Sequence, residues 1–345
     1  MANVPNGKDL GFGLHATDWM YRSTGDLSRD PVWDAGAYAP FGDITMSPAA
    51  AFLSYGCGVF EGLKAERGAD GRVRLFRAID HAERFARSAA RVALPEFPVR
   101  QFVGAVAGLV RRNDRVVPPA GAGTFYIRPM MHGVEPLLGA RRSRLAMVTI
   151  YGSPVGDVFG NRSSVRLKVV EAARAPAGGT GGAKAAGNYA GAVLIKEAAQ
   201  REGFDDVLFL DGSPAGHLAE ASGANIFCVM PGDEIVTPPI DDTILPGVTR
   251  DSAIRIAREI LGLTVTERPL PIAEVTARGR ELFCTGTGWS VRPVEALGVR
   301  GAEHACGPAR IAPRIREILR GIQTGAGGDP FQWTLDAAQV SDDGS

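Results

Sequence analysis

Lys184 lies in the run Gly181-Gly182-Ala183-Lys184-Ala185-Ala186-Gly187-Asn188-Tyr189, where small neighbours leave its amine room beside the backbone. Two chemistries use a lysine in such a place. The first is a phosphate-binding loop, which the stretch from Gly178 resembles at a glance. That loop requires glycine where Ala183 stands and Ser or Thr where Ala185 stands, so the match fails. The second is an imine-forming lysine, which alternates between a covalent bond to a carbonyl cofactor and a free amine that moves a proton. Spacing alone favours neither, and taken by itself Lys184 reads as a solvated loop lysine.

Other polar residues are equally ambiguous one at a time. Glu220, between His217 and Asn225, reads as a strand-end glutamate in water. Arg84 lies off the apolar stripe of a helical segment and shares its general face with Arg87 and Arg91, the pattern of a solvated basic face. Val248 and Thr249 precede a helix, whose first N–H groups attract phosphate; the same residues also make a plain cap. Thr287 sits in a glycine-flanked turn, Thr285-Gly286-Thr287-Gly288, and Tyr189 alone reads as a core tyrosine. His15, His81, His132, His217 and His304 have no metal-ligand spacing, so no metal is expected.

The elements that must position these residues come from an ordinary composition. The 345 residues carry 38 basic and 38 acidic side chains, a balance that argues against a nucleic-acid partner. Hydrophobic residues make up 45%, enough core for two domains. No basic start followed by an apolar run marks a signal peptide, and no stretch approaches the about 20 apolar residues of a membrane span. Cys57, Cys228, Cys284 and Cys306 are scattered without CxxC spacing, which suits a reducing cytoplasm.

Short apolar runs alternate with helical patterns. Ala69-Asp70-Gly71 turns into a strand ending at Arg74-Leu75-Phe76. Asp80 reads as the N-cap of a helix with Ala82, Phe85, Ala86, Ala89, Val92 and Ala93 on its apolar face. Further helices are expected over 100–112, 189–201 and 250–261, and strands over 124–130, 145–151, 165–171, 207–210, 225–229 and 234–237. The fold class is α/β, of the α+β type. A small N-terminal domain is expected over 1–152, an interdomain loop over 153–164, a larger domain over 165–335 and a disordered tail over 336–345. Residues 6–13 and 325–345 read as loose ends.

Seven pieces stand in one family's order over about 11–333: Phe52-Leu53-Ser54-Tyr55-Gly56, Val59-Phe60-Glu61-Gly62-Leu63-Lys64, Tyr126-Ile127-Arg128-Pro129, Gly187-Asn188-Tyr189, Asn225-Ile226-Phe227, Ile244-Leu245-Pro246-Gly247-Val248-Thr249-Arg250 and Gly286-Thr287. With them the chain resembles the branched-chain aminotransferases, class IV (fold-type IV) pyridoxal-phosphate enzymes. The resemblance implies pyridoxal 5'-phosphate as cofactor and Lys184 as the Schiff-base, proton-carrying lysine. It implies Glu220 as partner of the pyridine nitrogen and Tyr189 near the phenolic oxygen. Arg84, Val248 and Thr249 would hold the phosphate, and Thr287 phosphate or substrate carboxylate. Tyr55, Phe60, Tyr126 and Arg128 would wall the substrate pocket. The implied enzyme is a homodimeric transaminase passing an amino group from an L-amino acid of the Leu/Ile/Val kind to 2-oxoglutarate.

Some positions depart from the family. Ser54 replaces a histidine, Gly288 an alanine, and Gly223 the threonine of some relatives. Trp289 and Arg292 stand where animal members carry a redox CxxC. Asp157 and Val158 fall where alanine and an aromatic residue are usual. Val158 and Gly288 would enlarge a pocket that both line, which raises an alternative: a biosynthetic class IV aminotransferase for a larger or more polar amino acid. A D-amino-acid transaminase or aminodeoxychorismate lyase would share the lysine and glutamate, but the motifs of the first domain argue against both. A non-catalytic phosphate or cofactor binder is the remaining alternative.

Overall fold

The computed structural model describes residues 10–15, 17–160 and 162–344, and the chain divides into two units. The first takes the described residues up to Gly160, then Ala183–Ala186, then those from Gly321 onward; the second takes the intervening stretches, up to Gly182 and over Gly187–Arg320. The first unit contains β1 (Trp19–Asp26), β2 (Ala37–Pro40), α1 (Ala51–Tyr55), β3 (Gly58–Phe60), β4 (Leu63–Arg67), β5 (Val73–Phe76), α2 (Ala78–Arg91), α3 (Val99–Arg112), β6 (Thr124–Gly133) and β7 (Leu145–Val155). The second contains β8 (Val165–Val170), α4 (Gly187–Arg201), β9 (Asp206–Leu210), β10 (Leu218–Ala221), β11 (Asn225–Val229), β12 (Ile235–Thr237), α5 (Val248–Arg255), β13 (Val265–Glu267), α6 (Ile272–Arg278), β14 (Glu281–Gly286), β15 (Ser290–Val299) and β16 (Ala302–Ala305). Helix α7 (Ile311–Thr324) leads back to the first unit and its last strand, β17 (Thr334–Asp336).

The sheet of the first unit runs β17-β5-β4-β6-β7-β1-β2, with β3 also beside β6. Strand alternation sends Phe125, Ile127 and Met131 of β6 to one face, where Phe85 of α2 and Phe102, Val106 and Leu109 of α3 complete a buried core. Tyr126, Arg128 and Met130 fall on the other face and are half-buried. Pro129 has no N–H, so the ladder beside it cannot run on unbroken. Its neighbour accordingly splits into β3 and β4 at Glu61-Gly62, with the Glu61 N–H on the Pro129 carbonyl at 2.8 Å.

Three expectations change here. Asp80 is not the N-cap of α2: the helix starts at Ala78, Arg77 before it takes φ 50°, and no side chain caps it. Asp80 stands in the first turn and grips the Arg77 guanidinium, Oδ2 to Nε 3.0 Å, a carboxylate position the helix dipole favours. Ser153–Val155, expected in the interdomain connection, pair with Thr124–Tyr126 as the end of β7. The expected tail is also tied down, because β17 completes the sheet edge at β5. Ala337 is buried, Arg111 donates to its carbonyl at 2.6 Å, and Arg112 pairs with Asp342 at 3.0 Å. Of the loose ends, residues 6–9 and Ser345 lie outside the described residues, whereas Leu10 is buried.

In the second unit β10-β9-β8-β15-β14-β11 form a ring that the β10–β11 pairing closes, making a six-stranded barrel. The closing pair is Glu220 opposite Asn225. Strands β9, β10 and β11 are buried throughout, as a barrel wall covered on its outer side requires. Helix α4 crosses between the parallel strands β8 and β9 and lays Ala192 and Ala199 on Val207 and Phe209. Helix α5 begins at Val248, two residues ahead of its expected start, and widens into a π turn over 256–260.

Candidate active site

In the first unit Lys184 belongs to a four-residue strip laid along β3. The Phe60 N–H donates to the Lys184 carbonyl at 3.0 Å and the Ala186 N–H to the Gly58 carbonyl at 3.0 Å. The Lys184 amine lies 4.5 Å from the centre of the Phe60 ring, and the Arg128 guanidinium carbon 5.0 Å from the same ring. Arg128 also faces Tyr126, at 5.5 Å. A ring face attracts a cation through its quadrupole, so Phe60 steadies both charges. No carboxylate among the described residues pairs with Arg128, and its buried Nε has no hydrogen-bond partner. The Tyr126 hydroxyl lies so close to Gly62 that a Cβ there would sit 1.9 Å away. Three pocket candidates, Phe60, Tyr126 and Arg128, therefore gather with Lys184. Tyr55 is 41% exposed and donates its hydroxyl to the Leu138 carbonyl.

Arg84 is buried, whereas Arg87 and Arg91 of the same helix are exposed, so the solvated-face reading does not hold for it. Its Nε and Nη2 take the two Glu61 oxygens at 2.7 and 2.9 Å, and His81 Nδ1 meets Glu61 at 2.8 Å. Glu61 is fully buried. Burial alone would raise its pKa, but the Arg84 charge and bonds, then His81, outweigh it and hold the carboxyl well below its usual range. Burial pushes His81 down, against the Glu61 charge. The two side chains come from one helix turn, and strand alternation points Glu61 at that helix.

In the second unit Glu220 pairs with Arg174 at 2.5 Å; the side chains are 5% and 4% exposed. The Leu245 N–H and the Asn225 amide also donate to Glu220, each at 3.2 Å. Asn225 bonds the Leu245 carbonyl at 2.9 Å as well, and a Cβ on Gly247 would lie 2.1 Å from its Oδ1. Asn225 thus ties Glu220 to the start of α5, which no side chain caps. Thr285 is the register partner of Asn225, and a Cβ on Gly286 would stand 3.0 Å from the Gly223 carbonyl, so the Thr287 turn belongs to the same end of β11. The buried Thr285 hydroxyl has no partner. Upstream, Asn188 bonds Thr180 by both its oxygen and its amide, at 2.6 and 2.7 Å, and closes the glycine-rich loop onto α4. Tyr189 stands half-buried in the first turn of α4.

These groups suit pyridoxal 5'-phosphate. An uncapped helix start with Thr249, an orphaned hydroxyl and a glycine turn fit a phosphate; a buried carboxylate suits a ring nitrogen that must stay protonated. Of the two residues beside Glu220, Arg174 lies in no motif, and Asn225 stands in one that gave it no role. The Asp157 carboxylate, which stands where alanine is usual, accepts its own loop's Phe159 N–H at 2.8 Å, and Val158 is half-buried. Among the described residues no group of three or more His, Cys, Asp or Glu could hold a metal, and no helix is long and apolar enough to cross a membrane.

Residues 58–297 match the family model for amino-transferase class IV. The chain belongs to that family. It is similar to the mitochondrial branched-chain-amino-acid aminotransferase 1 of Arabidopsis thaliana, 39% identical over 334 residues that span 96% of this chain and 86% of the relative. Among solved structures it is similar to the branched-chain aminotransferase of Thermoproteus uzoniensis with norvaline, at TM-score 0.79 and 27% identity over 93% of this chain and 100% of that one. The Thermobaculum terrenum enzyme in its pyridoxal-phosphate form matches at TM-score 0.77 and 26% identity, over 93% and 99%. As a class IV aminotransferase, the protein is a fold-type IV transaminase whose cofactor is pyridoxal 5'-phosphate.

Proposed function

We propose that the protein transfers the amino group of an L-amino acid of the leucine, isoleucine and valine kind to 2-oxoglutarate, acting as a cytoplasmic homodimer. The observation that carries this reading is the strip at Lys184: its backbone is fastened to β3 while its amine stands at Phe60, which Arg128 shares. Pyridoxal 5'-phosphate supplies the carbonyl that takes up the amino group and a ring that spreads negative charge. Lys184 would hold the cofactor at rest and carry the proton removed from the substrate Cα. Glu220 would keep the ring nitrogen protonated, steadied by Arg174 and Asn225. Thr249, the first N–H groups of α5, Thr287 and the Arg84 edge turned away from Glu61 would hold the phosphate. Tyr189 would serve the phenolic oxygen, and Phe60 and Tyr126 would offer an aliphatic side chain apolar surface.

A second reading, a larger or more polar amino donor, is favoured by Arg128, whose buried Nε awaits a partner, and by the small residues Val158 and Gly288. The purified protein should be yellow, and borohydride should fix the cofactor on Lys184, located by peptide mass. A panel of amino donors with 2-oxoglutarate, read as glutamate formed, separates the readings. Preference for leucine, isoleucine and valine supports the first. Preference for polar or bulky donors replaces it with the second, and no transfer from any donor removes both.

A further inference from the structure

Helix α2 buries one polar stripe, His81, Arg84 and Ser88, at spacings of three and four that stack on one face. The first two side chains hold Glu61. Ser88, 1% exposed in a helix interior where serine is a poor former, does something else: its Oγ accepts the Lys184 N–H at 3.0 Å. Strand geometry makes this bond informative. Val59 and Ala185 face each other as an isolated antiparallel bridge, so Phe60 and Lys184 are the next pair and would ordinarily exchange two hydrogen bonds. The Phe60 N–H does donate to the Lys184 carbonyl at 3.0 Å. The Lys184 N–H turns instead to the helix. The peptide plane before Lys184 is thereby set by Ser88 and the plane after it by β3, which leaves the Cα–Cβ direction little freedom.

We infer that Ser88 is a positioning residue for the reaction: by taking the Lys184 N–H away from the strand, it aims the Lys184 amine to where the proton must be moved. The helix that fixes Glu61 beside Phe60 is also the helix that fixes Lys184, so the amine and the ring under it share one support. This inference rests on the proposed role of Lys184.

The test compares the wild-type holoenzyme with Ser88→Ala, Ser88→Cys and a control, Ala89→Gly, which loosens the same buried helix without touching Lys184. Ser88→Ala should lower kcat about tenfold with KM within about twofold of wild type, as a misaimed group does. It should also move the pH midpoint of the bound cofactor's absorbance change by at least about half a unit, because that midpoint reports the surroundings of the lysine nitrogen. Ser88→Cys, a weak acceptor of similar size, should fall between, and it answers the question if the alanine variant does not fold. Ala89→Gly should lower thermal stability and leave the midpoint in place. Wild-type kcat and midpoint in the folded Ser88 variants would overturn the inference, and so would an equal midpoint shift in Ala89→Gly. Should borohydride fix the cofactor at a residue other than Lys184 in the wild type, the functional reading falls first and this inference with it.

Discussion

Glu61 and Glu220 are both buried carboxylates that face a buried arginine, one in each unit, and they are held in different ways. Glu61 gives both oxygens to the Arg84 fork and meets His81 and the Gly62 N–H as well, all inside a helix-to-strand contact. Glu220 pairs with Arg174 and accepts from the Leu245 N–H and the Asn225 amide, on the strand pair that closes the barrel and beside an uncapped helix start. A charge gripped by a two-armed guanidinium fork inside a helix-to-strand contact fastens two elements together. A charge on a strand seam beside an uncapped helix start is suited to act on something that comes and goes. The same pair of residue types therefore fastens elements in one place, where Arg84 keeps an edge for the proposed phosphate, and in the other stands where the proposed cofactor ring would bind.

That contrast breaks most sharply at Glu61. Glu61→Gln takes the Glu61 counter-charge away from buried Arg84 and should cost about 3–5 kcal/mol in urea unfolding. Glu220→Gln should instead lower kcat by about 100-fold, the scale of lost electrostatic stabilisation, with the smaller loss of stability. Equal stability losses with equal kcat would erase the distinction.

Acid should weaken the first unit in two windows. Burial holds His132 at about 4, from 6.5 in the unfolded chain, so its neutral form stabilises the fold fully above pH 6.5 and that stability is lost as pH falls toward 4. The loss is at most about 3 kcal/mol. His132→Gln should make this stretch of the stability-against-pH curve shallower, with buried His81, also depressed, keeping part of the slope. Glu61, also depressed, stabilises above its unfolded value of 4.5 and loses that contribution only at lower pH, so its window opens later. A curve flat from pH 7 to 4 in the wild type would count against the His132 assignment.

Gly247→Ala should cost about 1–3 kcal/mol, because the new methyl drives Asn225 off Glu220, and the absorbance of the bound cofactor should change with it. The smallest effect is expected at Arg87, exposed three residues from Arg84. Arg87→Ala should stay within about 0.5 kcal/mol of wild type in the same unfolding assay, while Arg84→Ala should approach the cost of Glu61→Gln.

Legibility in the sequence followed how local each cause is. The helix over 99–112 and the strands over 225–229 and 206–210 follow from apolar period within one segment and are readable to within one residue, whereas the start of the helix over 78–91 falls three residues ahead of its expected cap. The return of β17 to β5 was not, since a three-residue edge strand carries almost no signal and its partner lies far back in the chain. At the candidate site, Lys184 and Glu220 are singled out by motif order rather than by their own surroundings. Arg174 and Ser88 were not found, because an arginine ahead of a loop and a serine inside a helix acquire meaning only from a partner that spacing does not reveal. Arg84 lies between these cases: helical period put it off the apolar stripe, and only Glu61 explains why it is nonetheless buried.

The return of the chain has a consequence for how the protein is made. The first unit cannot finish when its own first 160 residues leave the ribosome, since its edge strand and the strip carrying Lys184 are still to come. The barrel can close earlier, once Val299 is out, because all six of its strands precede that point. Translation order is therefore the reverse of sequence order for completion: the unit begun first is completed last. Until β17 emerges, an unfinished β5 edge stands open, and slowing translation at any stretch between β5 and β17 should lengthen that exposure.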